Sequence, residues 1–147
     1  TSPFMATGWM GEKQRADFQR VMVFLKNQGL ARVVMIHHPP YQGGATFGRT
    51  LTDAARFEKI ISDTGAELIL HGHNHVASIA HIRGPDGRVP VIGAPSASAA
   101  RGSASHRAGY HIFDFDRTET GIKITGQTRG LLESGEIGPV GTLALVG

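Results

Sequence analysis

Cysteine is absent from this chain of 147 residues. That excludes a disulfide framework, thiolate-ligated zinc and iron–sulfur clusters, so a bound metal would have to use nitrogen and oxygen donors. Long apolar runs are also missing: none approaches the ~20 residues that a bilayer-spanning helix needs. The opening residues Thr1, Ser2, Pro3 and Phe4 lack the charged and apolar regions of a signal peptide. We therefore expect no membrane span, and the lack of cysteine suits a reducing cytoplasm, the expected location. A start at Thr1 rather than Met leaves room for upstream sequence, including a targeting segment. Dense basic runs are missing too. The 15 Lys and Arg residues against 12 Asp and Glu give a formal charge of +3, but they are scattered, so nucleic acid is not an expected partner. A mildly positive field suits a small anionic substrate instead. There is no internal repeat and no clear linker.

What is present is enough for one domain, or part of one, since 40% of the residues are apolar. Residues 12–28 place Phe18, Val21, Met22 and Leu25 at helical spacing, and Gly29 follows as a left-handed cap. Residues 31–36 form a short apolar run, the pattern of a strand buried on both faces. A flexible loop, Tyr41-Gln42-Gly43-Gly44-Ala45, comes next. A second helix is expected to start near Thr50 or Thr52, to run through Phe57, Ile60 and Ile61, and to stop at Gly65. Residues 67–70 then repeat the buried-strand pattern. Helix, strand, helix, strand is the signature of an α/β layer with a parallel, right-handed βαβ unit.

Beyond residue 75 the texture becomes antiparallel. Residues 76–83 and 89–92 flank Gly84-Pro85-Asp86-Gly87, a turn signal that predicts a β-hairpin. Residues 110–115 pair with 122–128 across a turn at 116–121, and these strands are expected to join the same sheet system. The tail, residues 130–147, is hard to place by pattern.

The chemistry lies in the histidines that end the two parallel strands. Val33-Val34-Met35-Ile36 runs into His37-His38-Pro39-Pro40, and Leu68-Ile69-Leu70 runs into His71-Gly72-His73-Asn74-His75. Parallel neighbours carry both clusters to the same sheet edge, where open α/β sheets place ligands. Neutral imidazole is a common ligand for zinc, manganese and iron. His73 and His75, at i and i+2 in extended backbone, would face the same side, and His37 adds a third nitrogen from the neighbouring strand. Gly72 allows a turn or a close approach of the main chain. His38 and His71 are candidates to orient the ligands through hydrogen bonds, or are incidental neighbours. Among the eight histidines, His81, His106 and His111 are expected to be structural or surface residues.

These two blocks, in this order and at this separation, resemble the C-terminal signature blocks of the calcineurin-like metallophosphoesterases, in particular the bacterial cyclic-nucleotide-phosphodiesterase-like branch. Gly8-Trp9-Met10-Gly11-Glu12-Lys13-Gln14 before the first helix and Gly93-Ala94-Pro95-Ser96-Ala97-Ser98 after the hairpin agree with it, so the likeness spans residues 8–129. It implies a two-sheet α/β sandwich with a dinuclear centre of divalent or trivalent ions (Mn, Fe or Zn). In it His37 and His73 bind one metal and His75 the other. The implied activity is phosphomonoester or phosphodiester hydrolysis of a small substrate, with a metal-activated water attacking in line.

The family's upstream blocks are missing: Asp-x-His, a Gly-Asp whose aspartate bridges the metals, and Gly-Asn-His. The dipeptide Gly-Asp does not occur, and the one Asn-His is Asn74-His75. Neutral imidazoles alone cannot offset the charge of two divalent ions held close together. The expectation is therefore a C-terminal half of a longer hydrolase domain, inactive by itself and able to self-associate through exposed sheet edge. The bridging carboxylate and proton donor would lie outside this chain. Two alternatives remain open. One is a mononuclear three-histidine hydrolase; the other is a non-catalytic binding domain of the same fold.

Overall fold

The structure, a computed structural model, describes residues 6–99, 106–119 and 121–145. Nine elements follow in chain order: α1 (Glu12–Asn27), β1 (Val33–Ile36), α2 (Ala54–Thr64), β2 (Leu68–His71), β3 (Ser78–Arg83), β4 (Arg88–Gly93), β5 (Gly109–Thr118), β6 (Gly121–Leu131) and β7 (Ile137–Leu143). They make an α/β fold with a mixed four-stranded sheet, order β1-β2-β4-β3, and a separate antiparallel sheet, order β5-β6-β7. β1 and β2 are parallel with Ile36 opposite His71, and β4 is parallel to β2 with Gly93 opposite His71. Only β3 runs antiparallel, as the hairpin partner of β4.

The helix ends follow local chemistry. Gly29, at φ 64°, closes α1, and the Leu30 N–H reaches the Leu25 carbonyl at 3.1 Å in a Schellman arrangement. Its N-terminus is capped from a distance, because Asp53 accepts hydrogen bonds from the Met10 and Gly11 amides at 3.1 and 3.2 Å and from the Arg15 guanidinium. α2 starts at Ala54 rather than near Thr50 or Thr52. Asp53 sits at its N-cap position, but its carboxylate serves α1 and makes no cap bond to α2. Gly65, at φ 74°, ends α2 as anticipated.

Alternation along the central strands divides the core. Ile69 and Val91 face the helices and pack with Met22, Phe57 and Ile61, while Leu68 and Ile92 face the antiparallel sheet and pack with Leu143, Phe113 and Ile124. All of the β2 and β4 members are fully buried, each contributing about 1.5–3 kcal/mol of transfer free energy. Phe18 of α1 stacks on Phe57 of α2 with ring centroids 5.3 Å apart.

At three places the structure departs from the sequence pattern or adds to it. β1 is not buried on both faces: Val34 is, but Val33 and Met35 are 42% and 81% exposed. They share the face of Leu68 and Leu70 by register, yet the antiparallel sheet does not cover them. β1 is also an edge strand, and its open side borders a cleft of about 900 Å³ against α1, lined by Phe18, Val21, Leu25, Val33 and Met35 and reaching His37 and His38. Second, β5 and β6 do not extend the first sheet; they pair only with each other and with β7. Third, the tail that resisted placement is partly strand, since β7 pairs with β6 across a bulge at Thr128/Arg129.

Candidate metal centre

The site is built at the carboxyl ends of β1 and β2. Past the strands the ladder continues by one bond, from the Gly72 N–H to the His37 carbonyl at 3.0 Å, which locks the two histidine-bearing ends together. Pro39 and Pro40 are fully buried and anchor the chain just beyond His38. On the other side, the Ala94 N–H donates to the His71 carbonyl at 2.8 Å.

Within that frame His37, His38 and His73 converge, each offering one nitrogen within 4.8 Å of the others. His37 Nε2 and His73 Nδ1 are 3.2 Å apart. That is the distance of an N–H···N hydrogen bond between two neutral rings, and it also matches two imidazole nitrogens bound tetrahedrally at about 2.05 Å, which would stand about 3.3 Å apart. His38 completes the set, with its ring centroid 4.3 Å from that of His73. Its Nε2 is 2.8 Å from the Ala6 carbonyl; donating there leaves Nδ1 with its lone pair. Gly8 must be glycine for this ring to fit, because a Cβ there would lie 2.5 Å from His38 Nδ1.

Of the anticipated trio of His37, His73 and His75, two lie close together, His37 and His73. His75 is exposed and falls outside the group of three, while His38, expected only to orient ligands, falls inside it. The backbone gives the reason. His73 and His75 are not in extended conformation: their φ values are 65° and 56°, so the i, i+2 rule for strands does not apply beyond His71. Left-handed backbone at a non-glycine residue costs on the order of 1–3 kcal/mol and clusters at functional sites. His71 is 3% exposed and does not join the cluster; its Nδ1 lies 3.1 Å from the Gly72 carbonyl, and its Nε2 has no hydrogen-bond partner among the described residues. Gly93 leaves room for it, since a Cβ there would sit 2.9 Å from the His71 ring.

Charge at the site is of one sign. Burial, and then His38, Arg49, His37 and His75, push the His73 pKa below the ordinary imidazole value; burial also lowers that of His71. Both rings are thus held in the neutral form that binds metals. Among the described residues no Asp or Glu shares the cluster. The three imidazoles form a donor set that could hold a metal ion.

Two participants carry no sequence signal of their own. Arg49 Nε lies 3.5 Å from His73 Nε2, and the Asn74 amide donates to the Gly44 carbonyl at 2.8 Å, tying the loop after Pro40 to the histidine turn. Of the remaining histidines, His111 bridges the sheets as a structural residue, reaching the Thr128 hydroxyl at 2.9 Å and the Gly93 carbonyl at 3.0 Å. His81 has a buried Nε2 with no partner among the described residues. No helix is long and apolar enough to cross a membrane among the described residues. No protein-family model matches the chain, and no curated protein matches it.

Proposed function

We propose that this chain supplies the histidine ligands of a metal-dependent phosphoesterase of the calcineurin-like kind and forms half of its two-sheet sandwich. The observation that carries the reading is the approach of His37 and His73, from two different strand ends, to ligand spacing. The order of the two histidine blocks in the sequence supports it, as does the Arg49 guanidinium beside His73, which suits an anionic ester. His37, His73 and His38 would hold one ion. His75 would serve the second once carboxylates from outside this chain offset the added charge. Such ions supply Lewis-acid chemistry, stabilising charge at phosphoryl oxygens and making a water more acidic. The chain's own part is to orient the imidazoles through the Gly72–His37 bond and the buried prolines, and to keep His73 neutral.

A single-ion, three-histidine hydrolase is the second reading. The absence of a carboxylate from the cluster, among the described residues, favours it, and metal stoichiometry separates the two. For the chain by itself we further propose that two copies pair along the open edge of β1, because it offers unpaired backbone and exposed apolar side chains.

Turnover of a nitrophenyl phosphoester with Mn²⁺, by the natural gene product that carries this chain, tests the function. Hydrolysis that disappears in His37→Ala and His73→Ala is the expected result, with little or none from residues 1–147 alone. No hydrolysis, or hydrolysis indifferent to both substitutions, would refute the reading.

A further inference from the structure

We propose that Arg49, with the hollow beside it, is an oxyanion-binding subsite that takes a phosphoryl group next to the histidine cluster. The hollow, of about 370 Å³, is lined by Gly43, Gly44, Ala45, Thr46, Arg49 and Asn74. Its wall is fixed at several points. The Asn74 amide holds the Gly44 carbonyl at 2.8 Å, the Gln42 N–H donates to Glu58 at 2.7 Å, and the Arg49 N–H closes a turn on the Thr46 carbonyl at 3.0 Å. A Cβ on Gly44 would meet the Pro39 side chain at 2.6 Å, so the loop packs directly on the anchor of the first histidine block.

Arg49 itself is exposed and loosely held. Its two contacts, Nε to His73 Nε2 and Nη2 to the His73 carbonyl, are both at 3.5 Å, the outer limit of a hydrogen bond. Among the described residues no carboxylate pairs with it, whereas the buried Arg15 and Arg32 each have one; in this it is like the other unpaired arginines, and its place beside His73 sets it apart. Glu58, the α2 carboxylate that reaches this loop, is engaged by both the main-chain and side-chain N–H groups of Gln42. A permanently charged guanidinium with unspent donors therefore stands between a glycine-rich hollow and three imidazoles. Its planar fork matches two oxygens of a tetrahedral anion, and the Thr46 hydroxyl and Asn74 amide add neutral polar groups.

Naming the anion as the substrate's own phosphoryl group rests on the phosphoesterase reading; the capacity to bind an oxyanion does not. The test is a titration of inorganic phosphate into the metal-free chain, followed by loop amide shifts, for wild type, Arg49→Ala and Arg49→Lys. Arg49 is exposed, so neither substitution threatens folding. Saturable binding by wild type is expected, weakened at least about tenfold in Arg49→Ala and partly restored in Arg49→Lys, the loss expected for a hydrogen bond to a charged group. Absence of saturable binding, or an Arg49→Ala affinity within about twofold of wild type, would overturn the subsite. A parallel Mn²⁺ titration should give Arg49→Ala the wild-type affinity. Joint loss of metal and phosphate would also overturn the assignment, since Arg49 would then be acting through His73. Phosphate binding by a wild-type chain that takes up no metal would remove the phosphoesterase reading and leave the subsite standing.

Discussion

Asp53 shows how much one side chain can decide. It is buried, it takes the Arg15 guanidinium, and it caps two amides at the start of α1, the segment that leads from Gly8 and the His38 ring into the helix. Removing it leaves a buried cation and two orphaned N–H groups, so Asp53→Ala should destabilise the chain by about 3–5 kcal/mol, read as a lower urea midpoint. A loss under about 1 kcal/mol would match an exposed pair instead. Single residues also mark the limit of sequence reading at the site. His37 and His73 were legible because each follows an apolar strand pattern, and parallel pairing then brings them together. The exchange of His38 for His75 in the cluster was not, because it depends on left-handed backbone at His73 and His75, which side-chain order does not encode. Arg49 was invisible for another reason: an arginine in a loop looks like any solvated cation until its neighbours are known.

At the level of elements, local signals fared well and long-range ones did not. The helix closed by Gly29, the stop at Gly65 and the hairpin at residues 84–87 rest on nearest-neighbour chemistry and came through. An apolar run says that a strand can be buried, not what covers it. β1 has such a run, yet one face and one edge are open, because the antiparallel sheet stands over β2 and β4. Likewise the pairing of β5 with β6 followed from pattern, whereas their separation from the first sheet did not. The open edge leads to a prediction about β1. Met35 is 81% exposed, so Met35→Lys should leave stability within about 0.5 kcal/mol of wild type. It should also convert self-associated chain to monomer in sedimentation velocity, because a charge on an edge strand opposes pairing. A wild-type chain that is monomeric at high concentration would contradict pairing through β1.

For the molecule as a whole, pH dependence follows from the buried imidazoles. The folded state holds His71 and His73 below the ordinary imidazole pKa of about 6.5, so on acidification the unfolded chain takes up protons that the folded chain refuses. Their contribution to stability is complete above about pH 6.5 and is lost as pH falls below it toward the depressed folded values. The melting temperature of the metal-free chain should therefore be lower at pH 5 than at pH 7.5, and the slope should shrink in His71→Gln. A bound ion would steepen it, because protons and metal compete for His73.

The central claim is that imidazoles from two strand ends form one metal site. Isothermal titration of Zn²⁺ into the chain at neutral pH measures it directly, with His37→Ala, His38→Ala, His73→Ala and His75→Ala alongside. The account predicts one tight ion per chain, an affinity reduced more than about a hundredfold by loss of His37 or His73, a clear reduction in His38→Ala, and no change in His75→Ala. A wild-type chain that binds no ion, or His37→Ala and His73→Ala variants that bind it as wild type does, would contradict it.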